Sequence, residues 1–299
     1  MRETDPDAGM AQITPLLVEL QTALDSPLNL SGLAERYGYS PYHFHRVFTE
    51  VVGESPRRYV ERLRMEKAAY KLWITDESIL DIALSVGFKN HETFSRACRR
   101  YFHTSPRELR AAGRSRKQGI VSNHRWQPKD CVLSNVRFQR LRPMNLLAIR
   151  NIGGYGAIPD PFENSDRLWS RLVEWADAHD LEYQPIALCI FYDNPWLTPE
   201  AAQQADACIP VVAPVKGTRT IRCIPFEGGE FGTIEHIGPV PTRWQAFRKL
   251  ADTIHASEIY AVPPEPSGAI SIKALGEDGA NRMEVCLKVT KKKQEATKS

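Results

Sequence analysis

A pattern of about fifty residues occurs twice in the first third of this 299-residue chain. Ala34 and Gly38 return as Ala83 and Gly87, and Phe44 and Arg46 return as Phe94 and Arg96. Each copy reads as a short helix, a turn containing glycine, and a second helix, which is the helix-turn-helix pattern. Ser31 is read as the cap of a helix over Gly32–Tyr37, which Gly38 breaks. Ser40 caps the next helix, with Pro41 at a first position that needs no N–H. Gly53 ends it, and Ser55-Pro56 opens a longer helix to about Trp73 with Tyr59, Leu63, Ala68 and Leu72 inward. Ile79, Ile82 and Ala83 begin the second copy, which breaks at Gly87 and resumes from the cap Asn90, and Ser105-Pro106 opens a last helix. Ile13, Leu16, Leu17, Leu20 and Leu24 form a leading apolar stripe at helical spacing. An all-α domain over 10–112 follows.

Charge is distributed unevenly. Residues 89–117 hold nine basic and two acidic side chains, whereas residues 1–88 hold nine basic and thirteen acidic ones. Positive charge gathered on one stretch suits a polyanion such as double-stranded DNA. A helix fits the major groove and reads it with its N-terminal side chains. In the first candidate reading helix Phe44, Val47 and Phe48 face the core, leaving Tyr42, His45 and Arg46 outward. In the second Phe94 and Cys98 go inward, leaving His91, Glu92, Ser95, Arg96 and Arg99 outward. Arg46 and Arg96 suit paired hydrogen bonds to guanine, and Glu92 suits a cytosine amino group or else weakens binding. Lys89, Arg99 and Arg100 suit phosphates. His43 and His45 lie two apart on a helix and do not share a face, so no metal site is expected.

Beyond residue 112 the pattern changes. Residues 113–134 read as a polar linker and 292–299 as a frayed tail. Between them lie candidate strands at 136–141, 145–151, 185–192, 207–212, 220–225, 232–236, 269–274 and 283–289, with helices at 164–178 and 242–256. Runs of strands around two helices indicate an α+β domain. Two units resemble each other: Ala148–Tyr155 with the helix of Trp169, Leu172 and Trp175, and Gly232–Pro239 with the helix of Trp244, Phe247 and Leu250. Side by side they would form one sheet with a cleft.

Residues 30–110 resemble the AraC/XylS family, especially its MarA, SoxS and Rob branch. The resemblance rests on Leu33-Ala34-Glu35-Arg36-Tyr37-Gly38-Tyr39-Ser40, on Ile82-Ala83-Leu84-Ser85-Val86-Gly87-Phe88 and on Pro106 in the closing stretch. It implies a monomer reaching two adjacent major-groove segments, about 34 Å apart, and RNA polymerase as a partner of an activator. Cys98 stands where the family has a large aromatic, so looser packing of the second copy is expected. Residues 135–291 resemble the GyrI-like effector-binding domain through Tyr192-Asp193-Asn194-Pro195, Asp206–Val211 and Met283–Leu287. That resemblance implies a lipophilic or cationic small-molecule effector, with Glu284 as counter-charge and Tyr155, Trp169, Phe191, Tyr192, Trp196 and Trp244 as aromatic walls. Aromatic faces attract cations, and a charge in an apolar strand is costly unless paired.

The expected chain is therefore multidomain: an all-α double helix-turn-helix domain, then an α+β GyrI-like domain of duplicated strand–helix units. It would be a sequence-specific transcription regulator. The alternative is a ligand-sequestering protein or small-electrophile hydrolase, with Glu284 and a nearby Tyr, that keeps a residual DNA-binding module. No Ser-His-Asp pattern, phosphate loop or zinc motif is present, so neither enzyme activity nor a cofactor is expected. The six cysteines form no CxxC pair, and reduced thiols are expected. Met1 to Met10 lacks the marks of a secretory signal and no apolar run spans a membrane, so a cytoplasmic place is expected.

Overall fold

The sequence repeat is also a repeat of backbone geometry. The computed structural model describes residues 6–22, 24–25, 29–115, 131–153, 167–193, 198–239, 242–263, 269–274 and 282–292. The chain divides into two units, residues 1–121 with 194–202 and residues 122–193 with 203–299. In the first, the described helices are α1 (Pro6–Thr22), α2 (Leu30–Arg36), α3 (Pro41–Val52), α4 (Pro56–Ile74), α5 (Ile79–Ser85), α6 (His91–Phe102) and α7 (Pro106–Ser115). Helices α2 and α5 have the same length, as do α3 and α6. The bonds that close the two turns match. Tyr39 N–H donates to Ala34 C=O and Phe88 N–H to Ala83 C=O, each at 2.9 Å. Gly38 and Gly87 sit at φ +78° and +81°, a left-handed conformation that only glycine adopts freely.

Caps set the helix starts. Ser40 Oγ accepts from His43 N–H at 3.3 Å, and Asn90 Oδ1 accepts from Thr93 N–H at 2.9 Å. Helix α2 departs from expectation. Asn29, not Ser31, caps it, because Asn29 Oδ1 accepts from Gly32 N–H at 3.0 Å and leaves Ser31 inside the first turn.

Helix α4 belongs to both copies. Tyr59 meets Phe48 edge-on at 5.4 Å, while Met65, Ala68, Ala69 and Leu72 pack with Ile82, Phe94, Cys98 and Leu109. Each large apolar side chain so buried contributes about 1.5–3 kcal/mol. Cys98 is fully enclosed, and burial pushes its thiol up to about 12. On α4, buried Arg62 donates through Nε to Glu54 at 2.8 Å and through Nη1 to both oxygens of Glu66. Glu66 also accepts from Tyr101 at 3.4 Å and from Thr198 at 2.8 Å. Burial raises the Glu66 carboxyl against the opposing pull of Arg62 and the Thr198 hydroxyl.

The second unit is built on an antiparallel sheet. Its strands are β1 (Val132–Leu133), β2 (Arg137–Leu141), β3 (Met144–Ile152), β4 (Ile186–Phe191), β5 (Gln204–Val211), β6 (Arg222–Phe226), β7 (Gly229–Ile237), β9 (Ala269–Ala274) and β10 (Arg282–Lys288). Their order is β1-β7-β10-β9-β4-β5-β3-β6, with β2 also on β7. A separate ribbon pairs β8 (Tyr260–Ala261) with β11 (Thr290–Lys291). Helices α8 (Arg167–Ala178) and α9 (Arg243–Ala256) cover one face through Trp169, Leu172, Ala176, Phe247, Leu250 and Ile254. The duplicated units are β3 with α8 and β7 with α9, each strand ending near a positive-φ glycine, Gly153 or Gly238.

The two-residue strands β1, β8 and β11 are too short to show a period of two. Helix α7 reaches Ser115 and β1 begins at Val132, so the ends of the stretch read as linker hold regular structure. Residues 116–130 and 293–299 lie outside the described residues.

The paired turns give a test. A methyl group at Gly38 would meet open space, whereas at Gly87 it would lie 2.7 Å from the Leu24 carbonyl and from the Arg64 guanidinium. Gly38→Ala should cost about 1–2 kcal/mol, the left-handed penalty alone. Gly87→Ala should cost clearly more, read by urea unfolding of the two variants side by side.

Candidate nucleic-acid interface and effector face

On α3 the residues between the buried positions Phe44, Val47 and Phe48 are exposed: Tyr42, His45 and Arg46. Tyr42 is 81% exposed, unusual for a tyrosine with no apolar cover. On α6, His91, Glu92, Arg96, Arg99 and Arg100 are exposed, as is Lys89 before it. Ser95 is corrected: it is buried. At 3.6 residues per turn, position 95 lies one turn from 91 and 98 and turns toward the Phe94–Cys98 side, where its hydroxyl comes 3.4 Å from His91 Nδ1.

The two arginines singled out for base reading are held alike. Arg46 Nη1 lies 3.7 Å from Glu50, and Arg96 Nη2 lies 3.3 Å from Glu92, each one turn along its own helix. Such exposed pairs are worth about 0.3–0.5 kcal/mol and yield readily to a stronger partner. Arg100 pairs with Glu61 of α4.

In the second unit, strand alternation decides which predicted residues meet. Glu284 shares a face with Cys286, and Tyr192 packs against the same apolar floor of Leu188, Ile190, Cys208, Ile270 and Cys286. Phe191, Trp169 and Trp244 lie on the other, helix-covered face. The expected aromatic wall is corrected accordingly. Trp169 is a core residue whose Nε1 donates to Cys208 C=O at 3.2 Å. Phe191 is buried edge-on against Phe247 and Trp244. Arg243 stands over the rings of both Phe191 and Trp244, 5.1 and 5.3 Å from their centroids. Tyr155 and Trp196 lie outside the described residues.

Glu284 is partnered. It accepts from Gln139 Nε2 at 3.0 Å and lies 3.6 Å from Arg137 Nη2. Tyr192 donates its hydroxyl to Asp206 at 2.6 Å and carries the Arg150 guanidinium 4.2 Å from its ring centroid. Fully buried Asp206 takes two bonds from Arg150, at 2.6 and 3.2 Å, and one from Arg222 at 2.6 Å. Burial works to raise its pKa, but the two guanidiniums outweigh burial and hold the carboxyl well below the usual range. Sequence reading missed this cluster. Its signal was a lone Asp in the apolar run 205–211 and a lone Arg in 146–150, the reasoning already applied to Glu284.

Comparison with known proteins adds family, sequence and structural matches. Residues 33–112 match the helix-turn-helix domain family, and residues 134–267 match the GyrI-like small molecule binding domain, so Glu284 lies past the matched stretch. The chain is 39% identical to the transcriptional regulator Rob of Salmonella typhimurium over 94 residues, 31% of this chain and 32% of Rob, so it spans about a third of that relative's length. It is 35% identical to the regulatory protein SoxS of Salmonella typhimurium over 100 residues, 33% of this chain and 94% of SoxS. Among solved structures, an AraC-type transcriptional regulator of Chromobacterium violaceum aligns at 29% identity with a TM-score of 0.34, covering 36% of this chain and 95% of that one.

The Asp206 cluster yields a prediction. Asp206→Asn leaves one buried and one partly buried guanidinium without their carboxylate, which costs about 3–5 kcal/mol. Thermal unfolding of the second unit should shift sharply downward, and an unchanged midpoint would mean that the cluster carries no net stabilisation.

Proposed function

This chain belongs to the AraC-type family of helix-turn-helix regulators, in the branch of MarA, SoxS and Rob, and on that premise we propose that it is a sequence-specific DNA-binding transcription regulator, an activator, whose second unit binds a small-molecule effector. The observation that carries the reading is the matched pair α3 and α6. Each presents an exposed arginine, Arg46 or Arg96, at the same place after an N-capped start. A guanidinium there can fork onto guanine O6 and N7, for about 1–3 kcal/mol of discrimination. Lys89, Arg99 and Arg100 hold phosphates and give affinity without sequence. RNA polymerase is the protein partner and the cytoplasm the place of action. No helix among the described residues is long and apolar enough to cross a membrane.

The effector unit takes a lipophilic cation, with Glu284 as its counter-charge. We assign it no catalytic step. Tyr192, the hydroxyl nearest in kind to what a hydrolytic reading needs, donates its hydrogen bond to Asp206. The register sets Leu188 of β4 level with Glu284, two strand spacings away, and Tyr192 lies four residues further on, roughly 13 Å along the strand direction.

Two measurements test the halves separately. Gel-shift titration on a duplex selected from a random pool should show Arg46→Ala and Arg96→Ala each weakening specific binding about tenfold or more. Lys89→Ala should weaken all sequences alike and lower the salt slope by about one. Intact specific binding in both arginine variants would overturn the assignment of reading helices. Calorimetry with tetraphenylphosphonium should show weaker binding to Glu284→Gln than to the unaltered chain, and equal affinities would remove Glu284 as the counter-charge.

A further inference from the structure

Glu284 does not stand alone on its face of the sheet. The register places Glu235 of β7 directly opposite it. Directly paired residues of antiparallel strands point to one side with Cβ atoms about 4.5–5.5 Å apart, and like charges in that position repel. Each carboxylate is answered by its own arginine. Arg137 Nη2 lies 3.6 Å from Glu284, and Arg282 Nε lies 3.3 Å from Glu235. The carboxylates are 28% and 37% exposed and the arginines 67% and 57%. Exposed single-contact pairs of this kind are worth about 0–1 kcal/mol. The arginines therefore neutralise the facing carboxylates while remaining easy to displace.

One row further along the same strands lies a second, independent feature. Thr233 is fully buried, and its Oγ1 makes no hydrogen bond among the described residues. It is two residues from Glu235 on the same face of β7, directly opposite Cys286 on one side and Arg137 on the other. An unmet buried hydroxyl costs about 1–3 kcal/mol, and this one stands beside two carboxylates whose arginine partners are exposed. On the next strand Ile272 faces Glu284 from the other side and gives the site an apolar flank.

We propose that Glu235 and Glu284 form a twin-carboxylate site that selects a compact organic dication. Its two charged centres take the places of Arg137 and Arg282, its apolar body lies toward Ile272, and one of its N–H groups bonds to the Thr233 hydroxyl. A monocation relieves only one carboxylate and leaves the other dependent on its arginine. The inference rests on the reading of Glu284 as effector counter-charge and adds a second recognition residue, Glu235, and a charge count for the ligand.

The test uses the full chain and two amines with the same ring, 1,4-bis(aminomethyl)benzene with two charges and benzylamine with one, followed by calorimetry. The dication should bind at least about tenfold tighter, the effect of one more ion pair in a partly buried site. Glu235→Gln should abolish that preference by weakening the diamine alone, and Glu284→Gln should weaken both amines. Arg137→Gln and Arg282→Gln should tighten the diamine by about two- to fivefold, since the competing cation is gone. Circular dichroism melting checks that each conservative variant is folded. If benzylamine binding depends on Glu284 but the diamine has no advantage, or keeps it in Glu235→Gln, the twin site is overturned and the effector reading stands. If neither amine gives heat with the unaltered chain or with Arg137→Gln, both fall.

Discussion

The antiparallel register of β7, β10 and β9 decides which side chains of the second unit can act together. A slip of one residue would send Glu284 under the helices and bring Val285 to the opposite surface. The register is held from the apolar side, where Val285, Ile234 and Met283 are buried beneath α9 with Phe247 and Leu250. It is held also from the other side, where Cys286, Phe231 and Ile270 form a floor. With both faces packed in alternation, the polar residues have no freedom to choose sides. Glu235, Glu284, Arg137 and Thr233 are neighbours because their apolar neighbours are fixed.

The first unit solves a different problem, which is to hold two equivalent helices at equivalent positions. It does so with one long helix. Helix α4 lends Tyr59 to the first copy and Met65, Ala69 and Leu72 to the second. Because the copies share a wall, the turns at Gly38 and Gly87 launch α3 and α6 from a common frame. The arginines on those helices are kept in loose intrahelical pairs with Glu50 and Glu92. Held this way, they are extended and solvated before any duplex arrives, at little energetic cost to release.

Legibility in the sequence followed the range of the interaction. Local rules served well: Ser40, Asn90, Gly53 and the two turn glycines act within four residues of themselves, and the helices they bound were readable. The miss at α2 is also local, a competition between Asn29 and Ser31 for the same N–H groups that sequence does not decide. Ser95 was misplaced because one position on a twelve-residue helix is about 100° of rotation. In the sheet, Phe191 and Tyr192 could not have lined one wall, since adjacent strand residues face apart. The Arg150–Asp206 contact joins neighbouring strands that lie far apart in sequence, and the Glu235–Glu284 pairing joins β7 to β10. Such contacts exist only once strands are aligned, and no local pattern announces them.

The hydroxyl of Thr198 on Glu66 has a bearing on how this chain can be dissected. The helical unit draws on Thr198, which the chain reaches only after β1 to β4 of the sheet. Cutting after residue 121 would therefore not liberate an intact DNA-binding half, for the fragment would keep a buried carboxylate and lose the closest of its donors. Modules of this kind can be swapped between relatives as sequence blocks. Here the graft would have to carry its stitch with it.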